Sequence, residues 1–176
     1  MALDQDPGSQ WTDFTAALGA ALQEMPAYND GSKLTLNEKP PESLFVGFIK
    51  DQDGLTAEIG PVPSRGAPAR LAALLSPRGR ALRRQWAEFG SRLTAAGWTP
   101  PQAKERWSWT QELPEPADRA DYERLAAAVT RVLADELHLV PSALTYTAFQ
   151  EDPLRDLQFD GLGTQRPTGF KHRGTA

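Results

Sequence analysis

Residues Leu44 to Ile49 read Leu-Phe-Val-Gly-Phe-Ile, and as a strand this run is apolar on both faces. Leu44, Val46 and Phe48 fall on one side, Phe45 and Ile49 on the other. Side chains alternate along a strand, so a half-solvated strand should be polar at every second position. This one is not, and each face needs a cover: helices, a second subunit or a bound ligand.

The 176 residues suffice for one domain with a real core. No run approaches the roughly 20 apolar residues that cross a bilayer, so no membrane partner is expected. The start, Met-Ala-Leu-Asp-Gln-Asp-Pro-Gly, is acidic and lacks the basic and apolar stretches of a signal peptide. A cytosolic protein is the expectation. Cysteine is absent, which excludes disulfides, thiolate nucleophiles and cysteine metal sites. A net charge of −4 argues against a general nucleic-acid binder.

Residues 1–8 read as a flexible lead. From Ser9, a plausible N-cap, Trp11, Phe14, Leu18, Leu22 and Met25 form one helical stripe that Pro26 ends. Three strands follow: Lys33–Glu38 with Leu34 and Leu36 inward, Ser43–Lys50, and Gly54–Ile59 with Leu55, Ala57 and Ile59 inward. The turn Asp51-Gln52-Asp53-Gly54 pairs the last two antiparallel. Gly60–Pro68 reads as loop and Arg70–Leu75 as a loosely packed helical stretch. Gly79–Ala96 reads as a helix with Leu82, Trp86, Phe89, Leu93 and Ala96 on its seam, capped by Gly97. Arg106–Glu112 reads as a fourth strand with Trp107 and Trp109 on one face. Asp118 caps a helix to Leu137, buried along Tyr122, Leu125, Val129 and Leu133. Pro141–Phe149 reads as a short extended or turn segment that closes a 9–149 domain. The tail 150–176 should be mostly flexible, with Phe159, Leu162 and Phe170 as isolated anchors.

Residues able to do chemistry are few. His138 and His172 have no Asp or Glu at metal-ligand spacing, so neither a metal nor a cofactor is expected. There is no Gly-x-Ser-x-Gly elbow and no phosphate-binding glycine loop. Glu58 and Glu112, both on strands, are the pair open to acid/base work, with exposed sheet carboxylates as the plain reading. Arg80, Arg83 and Arg84 lie opposite a helix seam and read as a solvated face, or as a patch for an anion or acidic partner. No aromatics interleave them, which speaks against nucleic acid. Trp107 and Trp109 fit core or a binding platform equally.

The order helix, three strands, helix, strand, helix, then Pro-x-x-Leu-x-Tyr-x-x-Phe resembles the bacterial peptide-binding chaperones related to YbjN and to type III secretion chaperones. Trp11 and Phe14, Phe45-Val46-Gly47-Phe48, Ala57-Glu58, Gly97-Trp98 with Pro100, and Pro141, Leu144, Tyr146 and Phe149 carry the likeness. It spans Trp11 to Phe149. It implies an α+β fold in which an antiparallel sheet of about four to five strands has helices packed on one face and at its ends. It also implies a non-catalytic domain that binds a peptide or protein segment, often as a dimer. The candidate partner-binding residues are then Phe45, Phe48, Trp107 and Trp109. A homodimer burying that face without a peptide groove is the alternative, and a carboxylate enzyme the third. The proline-rich Gly60–Pro68 loop and the C-terminal tail depart from the pattern.

Overall fold

The structure, a computed structural model, describes residues 7–27, 31–38, 44–61, 87–102 and 108–166. Within them the fold is α+β, with the seven-stranded sheet order β4-β3-β2-β1-β5-β6 and β7 beside β5. The strands are β1 Ser32–Glu38, β2 Leu44–Lys50, β3 Gly54–Pro61, β4 Trp109–Pro114, β5 Leu144–Gln150, β6 Arg155–Asp156 and β7 Thr164–Gln165. The helices are α1 Pro7–Glu24, α2 over 87–95 and α3 Arg119–Arg131. All pairings are antiparallel except β5 with β7. Strand count exceeds the expectation because two-residue strands in the tail extend the sheet.

Local chemistry accounts for most boundaries. α1 starts at Pro7, before the expected Ser9 cap, since proline's missing N–H is no loss in a first turn. Asp118 caps α3 through a capping box with Asp121. α3 then widens into a π turn at Val132–Glu136. Gly97, at φ 88°, ends α2, and the Trp98 N–H reaches the Leu93 carbonyl at 3.0 Å. Asp51 Oδ1 accepts from the Asp53 and Gly54 N–H groups and shapes the β2–β3 hairpin.

The core lies between one sheet face and the helices. Phe14, Leu18 and Leu22 of α1, Phe89 and Leu93 of α2, and Tyr122, Leu125 and Val129 of α3 meet Leu34, Leu36, Val46, Phe48, Ala57 and Ile59. Ala96, expected on the α2 seam, is exposed because the helix ends beneath it.

Two corrections concern the sheet. The fourth strand runs Trp109–Pro114, later than the expected Arg106–Glu112. The Pro141–Phe149 segment is a full strand, β5, seated against β1 from Ser32↔Gln150 to Glu38↔Leu144. The chain beyond it is held to residue 166. Tyr146 Oη donates to the Phe159 carbonyl and accepts from its N–H, both at 3.1 Å. Phe159 and Leu162 are buried. The Arg70–Leu75 stretch, most of Gly60–Pro68 and Phe170 lie outside the described residues.

Candidate functional site

Register assigns every strand residue to a face. β2 places Val46 and Phe48 beneath the helices, together with Lys50. On the opposite, open face lie Phe45 and Ile49, with Lys33 and Thr35 from β1, Thr56 and Glu58 from β3, and Thr147 and Phe149 from β5. The described helices all touch the other face. Lys50 Nζ reaches the α1 carbonyls and the Tyr122 ring of α3, and Trp109 touches Gly90 of α2.

The open face is half apolar. Phe45, Ile49 and Phe149 are each half-buried. The Phe45 ring lies across two glycines: a Cβ on Gly47 would meet it at 3.5 Å, and one on Gly60 at 3.3 Å. Lys33 Nζ is 5.9 Å from the Phe149 centroid and pairs with Glu151 at 2.5 Å.

The four candidate binding residues do not assemble into one surface. Phe48 is fully buried in the core, and Phe45 is on the open face. Trp109 pairs with Ile59 and faces the helices, half-buried and edge-on to Phe89 with centroids 6.5 Å apart. Trp107 lies outside the described residues, as do Trp86, His172 and the arginines Arg80, Arg83 and Arg84. Glu58 and Glu112 do share the open face, on neighbouring strands two register steps apart. His138 is exposed just past the π turn, at φ 53°.

Among the described residues both sheet edges are partly covered. On β4, Thr110 exchanges backbone hydrogen bonds with Thr99 at 2.8 and 2.9 Å, and Pro114 ends the strand without an N–H. On β5, the β6 and β7 pairs are joined by Leu157 N–H to the Ala148 carbonyl and Arg166 N–H to the Tyr146 carbonyl. Among the described residues this leaves an extended peptide only short runs of edge backbone to extend.

Two features were not read from sequence. Lys50 is 5% exposed, and its ammonium donates to the Leu22 and Gln23 carbonyls at 3.1 and 3.0 Å. It sits 4.5 Å from the Tyr122 centroid, whose hydroxyl donates to Glu115 at 2.7 Å. Burial lowers the Lys50 pKa, and Glu115 opposes that shift. Alternation put Lys50 on the inward face, so the signal was present in the strand pattern. The second feature is a groove of about 870 Å³ along the outside of α1 and the start of α3.

No helix among the described residues is long and apolar enough to cross a membrane. Neither the curated proteins nor the solved structures include a match to the chain. A family model does match, over residues 4–150, and its description reads T3SS (YopN, CesT) and YbjN peptide-binding chaperone 3; the chain belongs to this family, TY-Chap3.

Proposed function

We propose that the chain is a non-catalytic, cytoplasmic chaperone or adaptor domain that takes a peptide or protein segment on its open sheet face. The observation that carries this is the half-buried set Phe45, Ile49 and Phe149 on the face opposite the helices. The family description supports the ligand class. With both edges partly covered, recognition runs mainly through side chains, by apolar burial and threonine hydroxyls.

Magnitude sets the terms. Completing the burial of three partly exposed side chains contributes about 1–3 kcal/mol gross. Association costs about 4–15 kcal/mol. This face alone gives weak, sequence-tolerant capture, and a tight complex needs further contacts elsewhere.

The test starts from peptides selected against the full chain from a random display library, measured by fluorescence anisotropy. Phe45→Ser and Phe149→Ser should each weaken binding about threefold to fivefold, near 1 kcal/mol, and lower the unfolding midpoint, so binding is measured where circular dichroism shows each variant folded. Cysteine is absent, so Thr147→Cys offers a single labelling site on the same face. Its label should report peptide arrival. Selected peptides that bind both serine variants like the parent, and leave the label silent, sink the assignment.

A further inference from the structure

Register sets Thr147, Thr35, Gly47 and Glu58 side by side on the open sheet face, across β5, β1, β2 and β3. Phe45 and Ile49 flank this row at Gly47, where the apolar surface lies. The far end is acidic: Glu58 on β3, with Glu112 of β4 beside Thr56. None of the four ion pairs among the described residues involves either carboxylate. The β5 end differs, because Lys33 lies there and is already paired with Glu151.

The chain arrives at this row at residue 166. β7 runs parallel to β5, with Thr164 beside Thr145 and Gln165 beside Tyr146, and the same register brings Arg166 beside Thr147. It goes no further along the edge. β6 and Leu157 hold the next stretch of β5, and Pro167 has no N–H for the ladder. The helix side of this edge is filled: Phe159 and Leu162 are buried there, and a Cβ on Gly161 would lie 2.7 Å from the Ala17 Cβ of α1. The open face is the free side for the chain that leaves Arg166.

We infer that residues 167–176 are an intramolecular ligand of the open face. The surface is the one proposed for peptides, and competition between tail and peptide rests on that reading. Length and chemistry select this segment. Neighbouring strands lie about 4.8 Å apart, and an extended chain advances about 3.3 Å per residue. Phe170, four residues past Arg166, therefore comes over Gly47, three strands from β7 and between Phe45 and Ile49. Lys171, His172 and Arg173 come next, within reach of Glu58 and Glu112. The order along the segment, one aromatic and then cations, matches the order across the face, apolar and then acidic. Tethering supplies the affinity. The face captures a free peptide only weakly, but a short tether gives an effective concentration in the mM range, so a contact of ~1 mM strength keeps the segment bound roughly half the time or more.

Cysteine is absent, so Gly174→Cys carries a single nitroxide on the full chain. Amide resonances should broaden most at Glu58 and Glu112, and not at Thr12 and Ala16 on the outer side of α1. Phe170→Ser should remove the broadening. Lys171→Glu with Arg173→Glu should weaken it, as should added salt. Circular dichroism checks that each variant is folded. Phe170→Ser should also tighten binding of the library-selected peptides about threefold to tenfold, since the parent offers them only its unoccupied fraction. Sharp Glu58 and Glu112 resonances, or broadening that survives Phe170→Ser, overturn the inference. Broadening of an isotope-labelled chain by a nitroxide on another copy marks a second copy on the face and overturns it too. Docking of the tail with no selected peptide competing upholds the inference and sinks the peptide reading. Peptides that bind the parent and Phe170→Ser alike, yet lose affinity with Phe45→Ser, do the reverse.

Discussion

An alanine at Gly90 would place its Cβ 2.1 Å from Trp109 Cζ2, 2.8 Å from Cη2 and 3.0 Å from Cε2. The indole lies against the α2 backbone, and only a residue without a side chain fits over it. Gly90→Ala should therefore force the ring or the helix aside, an overpacking cost of about 1–3 kcal/mol. Alanine recovers about 0.8–1 kcal/mol of helix propensity over glycine. The net expectation is a loss of up to about 2 kcal/mol. Trp109→Ala alone removes a large, partly buried ring and should cost about 3 kcal/mol. In that background the obstacle is gone, and Gly90→Ala should become stabilising by about 0.5–1 kcal/mol. The sign change is the point: the two substitutions should couple by about 1–3 kcal/mol. Urea unfolding of the four proteins, followed by far-ultraviolet circular dichroism, measures it. A Gly90→Ala cost that persists without the tryptophan refutes the α2–β4 packing. A Trp109→Ala protein that keeps its stability but loses peptide affinity would return Trp109 to the binding surface.

Further outcomes can be checked on single variants. Lys50→Met should lose about 1–3 kcal/mol in urea, because two α1 carbonyls lose their donor while the desolvation of the ammonium is recovered. Gly54→Ala should cost at least about 1–3 kcal/mol, since φ is 147° and the new Cβ would lie 2.3 Å from the Leu113 carbonyl oxygen; an unchanged midpoint would contradict the hairpin geometry. Glu115 is held below the usual carboxylate range by the Tyr122 hydroxyl first and the Ala117 N–H second. Its contribution is present above that range and is lost as pH falls through the depressed folded value. Glu115→Gln should flatten this part of the acid-side profile, and an unaltered profile would remove Glu115 from the network.

The elements legible in the sequence were those with a strong local signature. The α1 and α3 stripes, the three-strand run, the Asp118 cap and the Gly97 cap all follow from periodicity and turn chemistry, which act over a few residues. The family likeness was legible for the same reason, being an ordered set of such local features. Sites were harder. Trp107 and Trp109 alternate in sequence, but no pattern says which side of a sheet its helices will cover. Phe48 and Phe45 look equivalent, yet one is core and the other half-open. β5 was read as a short extended or turn segment because its partner strand lies more than a hundred residues earlier, and no local signal encodes that pairing.

What the sequence alone determined is the fold class, the element order as far as α3, the main inward positions of α1, α3 and the first three strands, and the absence of cysteine chemistry. These depend on short-range backbone preference and on burying one apolar stripe per element. Tertiary structure decided which face of the sheet stays open, how the edges are covered, where Lys50 finds its acceptors and that α1 and α3 frame a groove. Those outcomes rest on contacts between distant segments: Thr99 with Thr110, Tyr146 with Phe159, Lys50 with Leu22 and Gly19 with Glu123. Each depends on how whole elements stack, and side-chain periodicity carries no record of that.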